Sequence, residues 1–300
     1  MKTFLKLKGV DKFLAKIPDY RGKRLFRIPV ILALSFTISL GTMLLLDLSP
    51  RLFPSIPFLA VLEPFLPIIS TILFQIIGIL LIRRIWTKKN SFLKENYEKA
   101  YQKSFKYILT GIPIFVASML HGFLPLDIIT PTPNVGTSTW AMANTFTALL
   151  NIHYIAFDYI RLFIGFTILL FGIGTVLRAL FTFGFDYMSI IYVYYPEDSE
   201  VQHHAIYSIL RHPTYHGLIL MSLSSVIFRF SFYALIIWLL FILGMNIHIK
   251  WTEEKELIER FGTSYKEYMK TTNALFYPPK YVKEYFLFLF GKSEKPTVKE

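Results

Sequence analysis

Four apolar stretches of about twenty residues each, and a fifth nearly twice as long, limit what this 300-residue chain can fold into. A bilayer core is crossed by about 20 apolar helical residues. The shorter stretches lie at 28–46, 65–82, 107–126 and 160–181. The long one, 213–249, is broken only by Arg229-Phe230-Ser231 and predicts a helical hairpin. Its first leg is short for a full crossing. The expected fold class is all-α: a multispanning transmembrane bundle of about six helices, the last two a hairpin, with a cytoplasmic C-terminal amphipathic helical cap. Residues 141–159 are also apolar, but a seventh span there would reverse everything downstream. They are read as interfacial, re-entrant, or an extension of the fourth helix.

Composition excludes the alternatives. The chain is 54% hydrophobic and 17% charged, with mean hydropathy +0.47, whereas soluble domains carry about 25% charged residues. That much apolar surface does not stay solvated in a disordered chain. The net charge of +12 does not signal nucleic acid either, because of where it falls. Of 32 Lys and Arg, only Arg51, Arg161 and Arg229 lie outside the tail 1–27 and the segments 83–106, 178–212 and 250–300. By the positive-inside rule both termini are expected in the cytoplasm, in a multi-pass protein. Most of this charge needs only water and anionic headgroups as partners. The polar, basic residues ahead of the first apolar run do not read as a secretory signal peptide. The absence of cysteine removes disulfides, thiolate nucleophiles and cysteine-based zinc sites.

Three clusters on the expected cytoplasmic side carry residues suited to chemistry. Gly172-Ile173-Gly174, with Arg178 after it, allows close backbone approach to a ligand, or ordinary small-residue helix packing. Tyr207 and Arg211-His212-Pro213-Thr214-Tyr215-His216-Gly217 place a proline at a helix start. The free N–H groups of that turn suit an anion or cofactor, and a simple helix start with interfacial anchors fits equally. Glu253-Glu254 follow the hairpin and suit hydroxyls or ammonium groups, or the first turn of a solvated helix. The spacing of His212 and His216, with His203, His204 and His248, invites a metal reading. Seven histidines are too few for the boxes of membrane di-iron enzymes, and Pro213 sits inside the motif, so no metal is expected.

The order of these clusters resembles the isoprenylcysteine carboxyl methyltransferase / phospholipid methyltransferase family of integral membrane enzymes. The resemblance is carried by Tyr207 through Gly217, by Glu253-Glu254 with Leu257, and by Phe261-Gly262-Thr263-Ser264-Tyr265-Lys266-Glu267-Tyr268. Upstream, Gly172, Gly174, Arg178 and Gly184 look like the family's glycine-bearing helix. The chain departs from the pattern at Ala205, where the family has glycine. The resemblance implies S-adenosylmethionine (SAM) as methyl donor and a lipophilic small molecule or lipid as acceptor. It implies cofactor contacts from Gly172, Gly174, Tyr207, Arg211, His212, Pro213, Tyr215, Gly217, Glu253 and Glu254; the catalytic candidates are Arg211, Glu254 and Arg178, with Arg178 or Arg211 suited by charge to an anionic acceptor, a prenylcysteine carboxylate or a lipid phosphate. It divides the chain into a basic tail (1–27), an N-terminal membrane region of unassigned role (28–150), a methyltransferase-like core (151–278) and a C-terminal tail (279–300). Two competing readings remain: an NADPH-dependent membrane lipid or sterol reductase of similar architecture, and a non-catalytic membrane scaffold. The acceptor carboxylate, amine or thiol is left open, as is the oligomeric state.

Overall fold

The computed structural model describes residues 7–124, 137–152 and 154–291. The last two residues of the expected third span, His153 and the outer ends of both tails lie outside these. Every main element among the described residues is helical, and the only β-type pairing is an isolated parallel bridge between Leu210 and Asn273.

The apolar runs become α1 (Arg27–Leu52), α2 (Leu66–Thr87), α3 (Ala100–Leu120), α4 (Ile155–Phe183), α5 (Pro213–Arg229) and α6 (Phe232–His248). Pro67 opens α2 and Pro213 opens α5, each in the first turn, where a missing N–H leaves no helical bond unmade. Among the described residues, five helical stretches are long and apolar enough to cross a bilayer: Gly22–Leu52, Pro57–Thr87, Ala100–Phe123, Ile155–Phe183 and Phe232–Phe261. The α5 leg has 17 residues, about 25 Å at 1.5 Å per residue, against a hydrocarbon core of about 30 Å. The expected hairpin is present, with Phe230 in the left-handed region at its tip and Ser231 capping α6 through the Ala234 N–H. The stretch expected to be interfacial folds into Thr137–Ala143 and Phe146–Leu149, both far too short to cross. The Phe146 N–H donates to Phe230 O, which holds this segment against the hairpin tip.

Two ends of the bundle are defined by contacts. At one end Tyr233 donates to Pro64 O, and His121 pairs with Asp47. At the other, the Lys16 ammonium lies over the Tyr195 ring, Asp19 N–H donates to Gln102, and Tyr194 donates to Ile85 O. The basic segments therefore gather at one end of the molecule. A core of Phe13, Tyr101, Phe105, Tyr194, Phe241 and Met245 fills this half. After α6 the chain makes a wide π-turn (Ile249–Glu253) and continues as α7 (Glu254–Phe261) and α8 (Thr263–Thr271). A last helix, α9 (Val282–Leu289), packs Tyr285 and Phe288 onto Ala179 and Phe183 of α4.

Candidate active site

The start of α5 is built by a short splice. Arg211 N–H donates to Asn273 O (2.8 Å) and His212 N–H to Ala274 O (3.0 Å), which ties the turn before α5 to the strand-like segment after α8. The π-turn does the complementary work at the end of α6. Its widened spacing reduces the angle between neighbouring side chains, so adjacent Glu253 and Glu254 both reach the α5 start. His212 sits between them, with Nδ1 3.5 Å from Glu253 and Nε2 3.4 Å from Glu254.

The two carboxylates have different surroundings. Glu254 is buried and receives the Arg211 guanidinium, with Nε at 3.0 Å and Nη2 at 2.5 Å. Arg211 Nη1 also donates to Met269 O and Thr272 O at the end of α8. That guanidinium thus ties α5, α7 and α8 together, with its charge placed at a helix C-terminus, where it is favourable. Glu253 faces no Lys or Arg in any described ion pair. It accepts from Tyr215 Oη, lies 3.2 Å from His248 Nε2, and borders an open cavity.

That cavity has a volume of about 330 Å³. One end is polar, bounded by Tyr207, Arg211, His212, Thr214, Tyr215, His248 and Glu253. The other is apolar and includes Ile79 and Ile82 of α2 and Ile112, Phe115 and Val116 of α3. His212 Nε2 faces Glu254, whereas His248 Nδ1 is buried without a hydrogen-bond partner. Such atoms are uncommon in folded proteins and call for an explanation. Burial and the nearby Glu253 charge push the Tyr207 phenol well above its ordinary range, so it stays a neutral donor.

The sequence candidates therefore separate into two groups. Tyr207, Arg211, His212, Pro213, Tyr215 and Glu253 line the cavity, and Glu254 holds Arg211 and His212 beside it. Gly172 and Gly217 face each other across α4 and α5: a Cβ on Gly172 would stand 2.7 Å from Gly217 O, and one on Gly217 would stand 2.9 Å from Gly172 O. Their place is the helix contact. Gly174 faces Leu289 of α9. Arg178 donates to Phe288 O at 3.1 Å and covers the Phe288 ring, so it docks the C-terminal helix. Ala205 has φ of +52°, the left-handed conformation that glycine adopts freely. The turn leading to Tyr207 is kept without the glycine.

The histidines divide in the same way. His216 Nδ1 meets Leu275 O at 2.9 Å among Phe276, Tyr277 and Tyr285, and His203 and His204 pack on Tyr268 and Phe183. Among the described residues no group of three or more His, Asp or Glu side chains is arranged to hold a metal ion. His248, named in the sequence only as a possible metal ligand, is a wall of the cavity. The α2 and α3 residues carried no sequence signal, since they are ordinary aliphatic positions in membrane helices.

The model of the phospholipid methyltransferase family matches residues 160–264. The match covers α4 to α7, with every sequence candidate, and ends before the Asn273-Ala274 splice. No curated protein and no solved structure matches the chain. Over residues 160–264, about a third of its length, the chain is therefore similar to the phospholipid methyltransferase family.

Proposed function

We propose that this protein is a SAM-dependent methyltransferase that modifies a lipophilic acceptor at the cytoplasmic face of the membrane, with the cavity beside Glu253 as its site. The observation that carries this reading is the placement of Glu253: a carboxylate with no Lys or Arg partner among the described residues, fixed by Tyr215 and His248 on the lining of the cavity. These residues fit the donor. A carboxylate and aromatic faces suit a cationic ligand, and the Tyr207 and Thr214 side chains on the same lining offer hydrogen bonds to its hydroxyls or amino group. The volume of about 330 Å³ lies within the range of small-molecule sites. When bound, the donor supplies an electrophilic methyl group on a sulfonium.

The chain's own part is placement. Holding two reactants aligned at contact supplies much of the acceleration in such a displacement. Glu253 fixes positive charge near the α5 start, and Tyr215 and His248 keep its carboxylate from turning away. Glu254 holds Arg211, which in turn locks the α5 start to α8.

An amine is favoured over a carboxylate as acceptor. Arg211 is engaged by Glu254 and two carbonyls, and Arg178 docks the C-terminal helix and is not among the residues lining the cavity, so neither is placed to pair with an anionic acceptor there. The cytoplasmic assignment rests on the gathering of the basic segments at the cavity's end. The test is to incubate the purified chain with methyl-labelled SAM and a total lipid extract. Base-stable label in a lipid supports the proposal. Label released by base as methanol points to an ester and overturns the amine reading, and no lipid label overturns the proposal itself.

A further inference from the structure

The cavity is not enclosed by the matched residues alone. Its apolar lining combines Met188, Ile190, Leu218 and Met245 of the matched residues with Ile79 and Ile82 of α2 and Ile112, Phe115 and Val116 of α3, which lie outside 160–264. The α2 and α3 part of this wall is held by close backbone packing. A Cβ on Gly78 would stand 3.0 Å from Phe115 N, and one on Gly111 would stand 3.1 Å from Ile82 N, so these two glycines let α2 and α3 approach closely enough to fix Ile82 and Phe115. Phe115 is fixed further by stacking on Phe241 of α6, with ring centroids 5.0 Å apart.

A donor that is polar along its length gains nothing from five hydrocarbon side chains, and its polar groups would lose water there without replacement. The polar end, by contrast, provides charge and hydrogen bonds. We infer that the N-terminal membrane region contributes the binding site for the hydrocarbon part of the acceptor, through Ile79, Ile112 and Val116 of α2 and α3, and so sets which lipid is methylated. This inference rests on the methyltransferase reading above. It gives residues 28–150 a role in specificity. Ile82 and Phe115 are buried within the α2–α3 packing, whereas Ile79, Ile112 and Val116 are only partly buried and present surface to the cavity. Each methylene lodged there is expected to improve acceptor binding about four-fold, from the transfer free energy of one CH₂.

The test compares wild-type full-length protein with Ile112→Trp, which fills the apolar end, and Ile76→Trp, which places the same bulk on an exposed position of α2 outside the cavity lining. Two quantities are read: SAM affinity by calorimetry, and methyl label incorporated into lipids of a total extract. The expected result for Ile112→Trp is at least a ten-fold loss of lipid labelling with SAM affinity within two-fold of wild type. Ile76→Trp should label within three-fold of wild type. Unchanged labelling by Ile112→Trp overturns the inference and leaves the methyltransferase reading intact. Loss of SAM affinity in a folded Ile112→Trp protein assigns the apolar end to the donor and also overturns it. Failure of the wild-type protein to bind SAM or to label any lipid removes the underlying reading, and the inference with it.

Discussion

Two buried polar clusters sit at opposite ends of this bundle and are made from nearly the same chemistry. At one end His121, fully buried, lies 2.7 Å from Asp47 and 2.9 Å from Thr71, while Ser70 donates to the other Asp47 oxygen. At the other, His212 and His248 lie against Glu253 and Glu254. The first cluster joins α1, α2 and α3, leaves neither His121 nitrogen unpartnered, and adjoins a void of only about 10 Å³. The second leaves His248 Nδ1 unpartnered and Glu253 outside every described Lys or Arg ion pair, beside a cavity of about 330 Å³. A satisfied cluster ties helices together. An unsatisfied one beside open volume is prepared for a ligand, and that contrast separates structure from function where residue types do not.

Substitutions at both clusters can break or sharpen the contrast. The largest effect is expected at Glu254→Ala, which leaves the Arg211 guanidinium buried without its carboxylate. Removing one partner of a buried pair costs about 3–5 kcal/mol, readable as a lowered unfolding temperature in detergent. Glu253→Gln, which keeps the shape, should unfold close to wild type and lower methyl transfer by one to two orders of magnitude. That drop is the value of about 1.5–3 kcal/mol for a hydrogen bond to a charged group. His121→Leu should destabilise by about 1–3 kcal/mol, because Asp47 and Thr71 lose a buried partner. Its methyl transfer per folded molecule should equal that of wild type; a selective loss of transfer would erase the distinction between the clusters. The smallest effect is a gain: Ala205→Gly relieves a left-handed alanine and should stabilise by about 1 kcal/mol, seen as a modest rise in unfolding temperature.

The membrane helices were legible because apolar length and breaking residues are local signals: Pro213 starts α5 and Arg229-Phe230-Ser231 ends it, as read from the sequence. His212, Glu253 and Glu254 were legible as a set through the family motif, and the π-turn is the physical device that gathers them. Gly172, Gly174 and Arg178 show the limit of that reading. A glycine marks close approach without saying to what, and here the neighbours are Gly217 and Leu289. An arginine marks a charge without its partner, and here the partner is Phe288 O. The α2 and α3 wall was illegible for a different reason. Its aliphatic residues are typical of any membrane helix, and only packing over long sequence separations makes them part of a cavity.

The most direct measurement is a calorimetric titration of SAM into the full-length protein in detergent, run on wild type, Glu253→Gln and His121→Leu. Saturable binding at one site is expected in wild type and in His121→Leu, with affinity weakened one to two orders of magnitude in Glu253→Gln. No saturable binding in wild type, or equal weakening in both variants, would contradict the methyltransferase reading of this site.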